Sequence, residues 1–529
     1  MARELQCKRI VIGTSVRRHL KLIRWVIGVA AGVLAALWIA VLVLSRAPIL
    51  RQTLVDTLND QLDADVELQD FEVRTFPLFR IHGDGLKLRL KSQQNAAPFI
   101  EVRHFEVAGG LFGMLKKRRR FRWVELEGLR ITIPPRSEND KDAGNQAAAE
   151  MTGRVIIDHV TARDALLVIL PKNPAKEPKE WAIHNLEVES VGFDRSMPFT
   201  ATLSNPIPKG EIASTGSFGP WVKGDPGLTP VKGKYSFNRA DLATIDGIGG
   251  TLDSTGVFDG MLSRIHVTGK TSTPDFRLED AGAPMPLETT FESIVDGTNG
   301  NTYLRKVDAM LRHTAIEASG EIVSAPHVKG RTVTLDTKIR DGRIEDVLVL
   351  AVPAPKPVMT GRIAMHAALN LPPGHAKVID RLELKGRFAL EQVEFADPTV
   401  KQQLVELSRR ARGKKPFEAT GPVASQMHGR FTMGKGRLEL DPVEFAVPGA
   451  QVQLAGGYGI RSEQLDFAGT LAMDAPVSEA MGGGIKGFFL KPFDPLFRKH
   501  GKGAIVPITI TGQRDQPKFG LQWSKVLKQ

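Results

Sequence analysis

Residues able to do chemistry are present in this chain, but not in working arrangements. GRFTMGKG at 429–436 has the glycine and lysine spacing of a phosphate-cradling loop, which needs a closing Ser or Thr to hold magnesium. Gly436 stands in that place, and the segment lies between two strand-like pieces, so a hairpin turn is expected. STGSFG at 214–219 has the outline of a nucleophile elbow, but Thr215 replaces the glycine that the sharp turn requires. DGTNGNT at 296–302 offers Asp and Asn oxygens without the spacing or the closing Glu of a calcium loop, and a turn between strands is expected instead. The 12 His residues include no H-E-x-x-H pair. The one Cys, Cys7, excludes disulfide scaffolds, iron–sulfur clusters and cysteine zinc sites. No nucleophile, base, metal site or cofactor site can be assigned, and a protein that is not an enzyme is expected.

The elements that remain are those of a β protein. The chain has 529 residues, 42% hydrophobic and 25% charged, which rules out wholesale disorder. Its length suits about three or four domains, or one long architecture. With 51 Gly and 33 Pro it is rich in turn residues. Strict alternation of apolar and polar residues marks half-buried strands at 86–90, 105–107, 129–133, 437–440, 452–454 and 507–512.

Glycine recurs inside such runs, at Gly216, Gly233, Gly256, Gly269, Gly320, Gly361, Gly386, Gly429, Gly456, Gly469 and Gly512. In nine of these eleven, the residue two positions later is apolar: Phe218, Tyr235, Phe258, Ile322, Ile363, Phe388, Phe431, Tyr458 and Leu471. The spacing is irregular, so this is no fixed-period solenoid. Glycine in a strand marks a bulge or bend, and repeated bends on one face would curl a sheet into a trough floored by those nine residues. Helices are few: Val400, Leu404, Val405, Leu407 and Ala411 form one amphipathic face, and a shorter helix is expected from Asp341, as N-cap, through Ile344, Val347 and Leu348.

The N-terminus carries a different signal. Residues 25–44, WVIGVAAGVLAALWIAVLVL, are uncharged and long enough to cross a bilayer. Seven Lys and Arg precede this span against Glu4 alone, which places the tail at 1–24 in the cytoplasm and everything beyond on the far side, the periplasm of a two-membrane bacterium. No convincing cleavage site follows, so an uncleaved inner-membrane anchor is expected. Gly28, Gly32 and Ala36 form a small-residue stripe, read either as ordinary membrane-helix composition or as a homo-oligomer contact. Half of the net charge of +12 lies in this tail, so the basic balance does not point to nucleic acid. Beyond the span, Pro48 opens a short amphipathic helix running to Leu62.

A polar stretch at 137–150 is expected as a flexible linker, with further loops at 171–180 and 352–357. The organisation is then a β unit at 45–136, a central β region at 151–420 and a C-terminal β region at 421–529. The basic cluster Lys116, Lys117, Arg118, Arg119 and Arg120 is either a solvated loop or a contact for anionic lipid headgroups. The Phe-rich stretch at 482–497 either closes a core or touches lipid.

Several stretches carry a family resemblance: RQTLVDTLNDQLDADVELQDFEVRTFP at 51–77, IHGDGLKL at 81–88, WVELEGLRITIPP at 123–135, LDFAGTLAMDAPVSEAMGG at 465–483 and KPFDPLFRKHGKGAIVPITITGQRDQPKFGL at 491–521. With SFGPWVKGDPGLTPVKGKYSF at 217–237 they span nearly the whole chain, which resembles the AsmA family of bacterial envelope proteins. That family is similar to the bridge-like lipid transfer proteins. The resemblance implies a mostly β fold, a single N-terminal transmembrane helix followed by a long curved antiparallel sheet with a repeated groove and a few short helices. It implies phospholipid as ligand, the inner membrane and other membrane proteins as partners, and a part in outer-membrane assembly. The alternative is a periplasmic scaffold that assists outer-membrane protein assembly without lipid cargo.

Overall fold

The computed structural model describes residues 64–74, 79–90, 98, 100–109, 119–133, 155–169, 179–192, 194–222, 225–324, 330–412, 425–476, 503–514 and 516–521. The expected tail and anchor at 1–44, with Gly28, Gly32 and Ala36, lie outside the described residues. So do the helix from Pro48, the linker at 137–150, residues Lys116–Arg118 and the stretch at 482–497. The chain forms two compact units, Met1–Gly192 and Phe193–Gln529.

The first unit holds seven described strands: β1 (Ala64–Glu67), β2 (Asp70–Arg74), β3 (Phe79–Leu90), β4 (Ile100–Gly109), β5 (Arg119–Ile133), β6 (Val155–Ile169) and β7 (Lys179–Val191). β1 and β2 both pair with β3, and β3 to β7 then follow in order. All pairs are antiparallel except β5 with β6. Register places Ile81, Gly83, Phe105, Val107, Val124, Leu126, Val160 and Ala162 on one face, with Glu106 and Glu125 on the other.

The second unit begins with β8 (Met197–Pro206), β9 (Lys209–Phe218), β10 (Pro230–Asp241), the two-residue β11 (Ile248–Gly249), β12 (Thr251–Met261), β13 (Arg264–Leu278), β14 (Met285–Val295), β15 (Thr302–Leu311), β16 (Thr314–Val323) and β17 (Thr332–Arg343). Helix α1 (Ile344–Ala351) leads to β18 (Met359–Leu371), the single turn α2 (Val378–Arg381) to β19 (Glu383–Phe395), and α3 (Pro398–Ala411) to β20 (Gln426–Gly434). Five strands complete it: β21 (Arg437–Val447), β22 (Ala450–Gly459), β23 (Gln464–Met473), β24 (Ala504–Gln513) and β25 (Gln516–Leu521). Each strand pairs antiparallel with the next, except that the short β11 pairs with β13 and β10 reaches β12 directly. Among the described residues no pairing joins β25 to β8, so this long antiparallel sheet is unclosed.

Local chemistry explains the turns. Lys435 and Gly436, both at positive φ, connect β20 to β21 as a two-residue hairpin, the geometry whose twist matches paired strands. Residues 296–301 form the loop between β14 and β15. Burial pushes the Asp296 carboxyl up, but hydrogen bonds from Thr298 and Asn299 outweigh this and hold it below its usual value. Its oxygens are thus used to shape the turn.

One helix starts later than the sequence suggests. Asp341 belongs to β17 and pairs with Arg362 at 3.0 Å. A register shift between Ile339 and Gly342 prolongs the strand, so the helix begins at Ile344 with Glu345 and Asp346 in its first turn, where the helix dipole favours acids. Buried Asp346 accepts hydrogen bonds from His313 N at 3.1 Å and Thr314 Oγ1 at 2.9 Å, which ties α1 to the β15–β16 turn.

Candidate binding face

Directly opposed residues in a sheet share a face, as do alternate residues along a strand. Phe218 faces Val231, Tyr235 faces Gly256, and Phe258 faces Gly233 and Val267. Ile322 faces Val333, Ile363 faces Leu390, Phe388 faces Gly429, and Phe431 faces Gly386. Tyr458 faces Leu438, and Leu471 faces Val452 and Val506. Following the register from strand to strand puts all nine on the same face of the second unit.

From β9 to β24, the paired positions on that face carry no Asp, Glu, Lys or Arg. Several hydroxyls among them are bonded within the sheet. Tyr235 Oη meets Ser254 Oγ at 3.2 Å, Thr271 Oγ1 meets Thr289 Oγ1 at 2.6 Å, and Thr337 Oγ1 donates to Ala367 O at 2.9 Å. Burial raises the Tyr235 phenol above its ordinary pKa, with the Ser254 hydrogen bond opposing this, so the ring stays neutral. The opposite face is charged. Lys338, His366, Arg387 and Arg430 stand side by side on four strands, and Arg340 pairs with Glu317 at 2.9 Å.

Four of the strand glycines have a different role from the expected bend. Gly233, Gly256, Gly269 and Gly386 sit in uninterrupted register, each opposite an aromatic ring: Phe258, Tyr235, Phe291 and Phe431. Irregularity falls at others of the eleven: register shifts lie beside the Leu304–Gly320 pair, at Gly361 and between Gly429 and Phe431, and Gly320 and Gly361 have positive φ. A Cβ at Gly256 would lie 2.7 Å from Tyr235 Cε1, and one at Gly386 would lie 2.6 Å from Phe431 Cζ. At these four positions glycine is the seat on which the neighbouring ring lies across the sheet.

The apolar face is the more sheltered one. Thr289 on that face is half-buried, while its neighbour Thr290 on the other is exposed. Ser254 and Ser293, both on the apolar side, are only 6% and 3% exposed. Coiling of the sheet is shown by its rims. Lys377, beside α2 at the end of β18, meets Asp280, at the end of β13, with Nζ 3.0 Å from Oδ2. These ends lie at opposite rims and five strands apart. In a flat sheet they would be separated by about 40 Å, from about 4.8 Å per strand and about 3.3 Å per residue along ten-residue strands.

Helices cover part of the floor. Ile344 of α1 packs on Ile339, Ile363, Leu390 and Val393, with Phe388 alongside. Ile363 is therefore 3% exposed and buried beneath α1, whereas Phe218, Tyr235, Phe258, Ile322, Phe431 and Tyr458 are half-buried. Leu407 of α3 and Leu471 pack on Ala411, Val447 and Ala450. The helix periodicity was legible in the sequence, but nothing in it indicated which floor residues the helices would cover.

Arg120 in β5 pairs with Asp158 at 2.9 Å, so its charge is partly neutralised. A concavity of about 560 Å³ adjoins Gly216, Gly233 and Phe258. Another of about 860 Å³ is lined largely from the charged face, including Arg340, His366 and His428. These three already hold acidic partners, Glu317, Asp336 and Glu444. Compared with protein-family models, curated proteins and solved structures, the chain matches none.

Proposed function

We propose that the second unit binds or conducts phospholipid, with acyl chains on the sheltered apolar face and headgroups in water. The observation that carries this reading is the charge-free floor, several of whose hydroxyls are bonded within the sheet. Such a surface suits hydrocarbon, since each CH₂ sheltered from water is worth about 0.8 kcal/mol. A peptide backbone would instead lose hydrogen bonds there. The proposal includes the anchor at 25–44, an inner-membrane location with the bulk of the chain in the periplasm, and a repeated groove supporting outer-membrane assembly. The resemblance to the AsmA family supports the same reading.

The test is extraction of the purified full chain and mass spectrometry of what it carries. Stoichiometric phospholipid is expected, and its absence would overturn the reading. The scaffold reading draws on β25, which pairs on one side only among the described residues and offers an edge for strand addition. It predicts that a charge placed on the floor leaves function intact.

A further inference from the structure

Among the described residues, the two rims of the second unit touch at α2, and each side of that contact is built separately. On one rim, α2 is tied to the β22–β23 turn by Asp380, whose Oδ2 lies 2.8 Å from Arg461 Nη2. On the other, Gly247 and Glu279 brace each other: Gly247 N donates to Glu279 Oε2 and Glu279 N to Gly247 O, both at 3.0 Å. Gly247 has φ +90, and a Cβ there would lie 2.8 Å from Val378 Cγ2, so the valine rests on bare backbone.

Across the gap the connection is slight. Lys377 meets Asp280 at 3.0 Å with both side chains mostly exposed, and Arg381 Nη2 lies 4.0 Å from Asp246 Oδ2. Exposed ion pairs of this kind contribute little and weaken in salt. Two firmly built halves joined by weak contacts can part without disturbing either half.

We infer that α2 is a strap that closes the apolar face sideways between the β10–β13 rim and the β18–β19 rim, and opens to admit an acyl chain from the side. This rests on the lipid reading above. With the strap shut, an acyl chain enters only from the ends of the trough. With it open, a two-chain lipid enters laterally while its headgroup stays wet.

The experiment uses the full chain with Cys7→Ser, Ala281→Cys and Ala376→Cys, which flank the Lys377–Asp280 pair and leave it intact, joined by a short reducible bismaleimide. Loading is read as transfer of pyrene-labelled phosphatidylcholine from vesicles. Cross-linking should slow loading about tenfold, as expected when the competent state is rarely populated, and reduction should restore it. Lys377→Glu should speed loading, and Lys377→Glu with Asp280→Lys should return it to the starting rate. The cross-linking rate itself should fall towards 1 M salt, where the screening length is about 3 Å.

Loading unchanged by the cross-link would overturn the strap while leaving lipid binding intact. A cross-link that never forms, or forms at a rate indifferent to salt, would overturn it whatever the loading. No loading by the unmodified chain would sink the lipid reading and the inferred cargo together, while the salt dependence would still decide whether the rims part.

Discussion

The ring of Phe431 lies directly over Gly386 on the neighbouring strand, with room for a hydrogen and none for a methyl. In the first unit Phe105 takes the same position over Gly83. A ring lying across a strand shields backbone on a sheet that has only one apolar face. It also keeps the floor low, since the ring does not stand upright from the sheet.

Gly386→Ala should therefore destabilise the fold by overpacking. Its Cβ would lie 2.6 Å from both Phe431 Cζ and the His366 carbonyl oxygen. A loss of about 1–3 kcal/mol is expected, read as a lower midpoint in urea unfolding. Phe431→Leu in the same chain should recover only part of it, because the carbonyl remains.

Neighbouring residues on opposite faces give a controlled comparison. Phe258→Asp puts a charge on the floor and should abolish co-purifying phospholipid while the circular dichroism spectrum stays that of a sheet. Val257→Asp changes a side chain that is 55% exposed on the outer face. It should leave lipid content unchanged and move stability by no more than about 0.5 kcal/mol.

Asp346 should anchor α1. Its carboxylate is 1% exposed and holds His313 N and Thr314 Oγ1. Asp346→Ala leaves the His313 N–H unpaired and Thr314 Oγ1, as donor, with only the long contact to Arg343 O at 3.4 Å, with an expected loss of about 1–3 kcal/mol. Amide exchange should rise first in α1 and in the β15–β16 turn, ahead of global unfolding.

Acid should loosen α3. Hydrogen bonds from Arg409 and Arg410 pull the Glu406 carboxyl from 4.5 down to about 2. The folded value is depressed, so the stabilisation is fully present above about pH 4.5 and is lost as the pH falls towards 2. The carboxylate is 40% exposed, so solvent screening keeps the effect below about 1 kcal/mol. Glu406→Gln should lower stability by that small amount at neutral pH and match the unaltered chain near pH 2.

The strands around 86–90, 129–133, 437–440 and 507–512 were legible because a surface wet on one side imposes a period of two. The same period gave the single face shared by Phe218, Tyr235 and Phe258. The purpose of Gly233, Gly256, Gly269 and Gly386 was not legible, because the ring each one carries lies on another strand. The start of α1 was misjudged because Asp341 has the side chain of a cap, while the irregularity after Ile339 keeps it in the sheet. The meeting of Lys377 with Asp280 spans 97 residues and depends on the coiling of every strand between them, which no local pattern encodes.

The paired positions between β9 and β24 offer no fixed charge and no unsatisfied hydroxyl of Tyr235, Thr271 or Thr337 to grip a passing molecule. An occupant would find few preferred stopping points and would drift back and forth by thermal motion alone. Net flow would then have to come from unequal supply and removal at the two ends, with the sheet serving as a track that sets no direction.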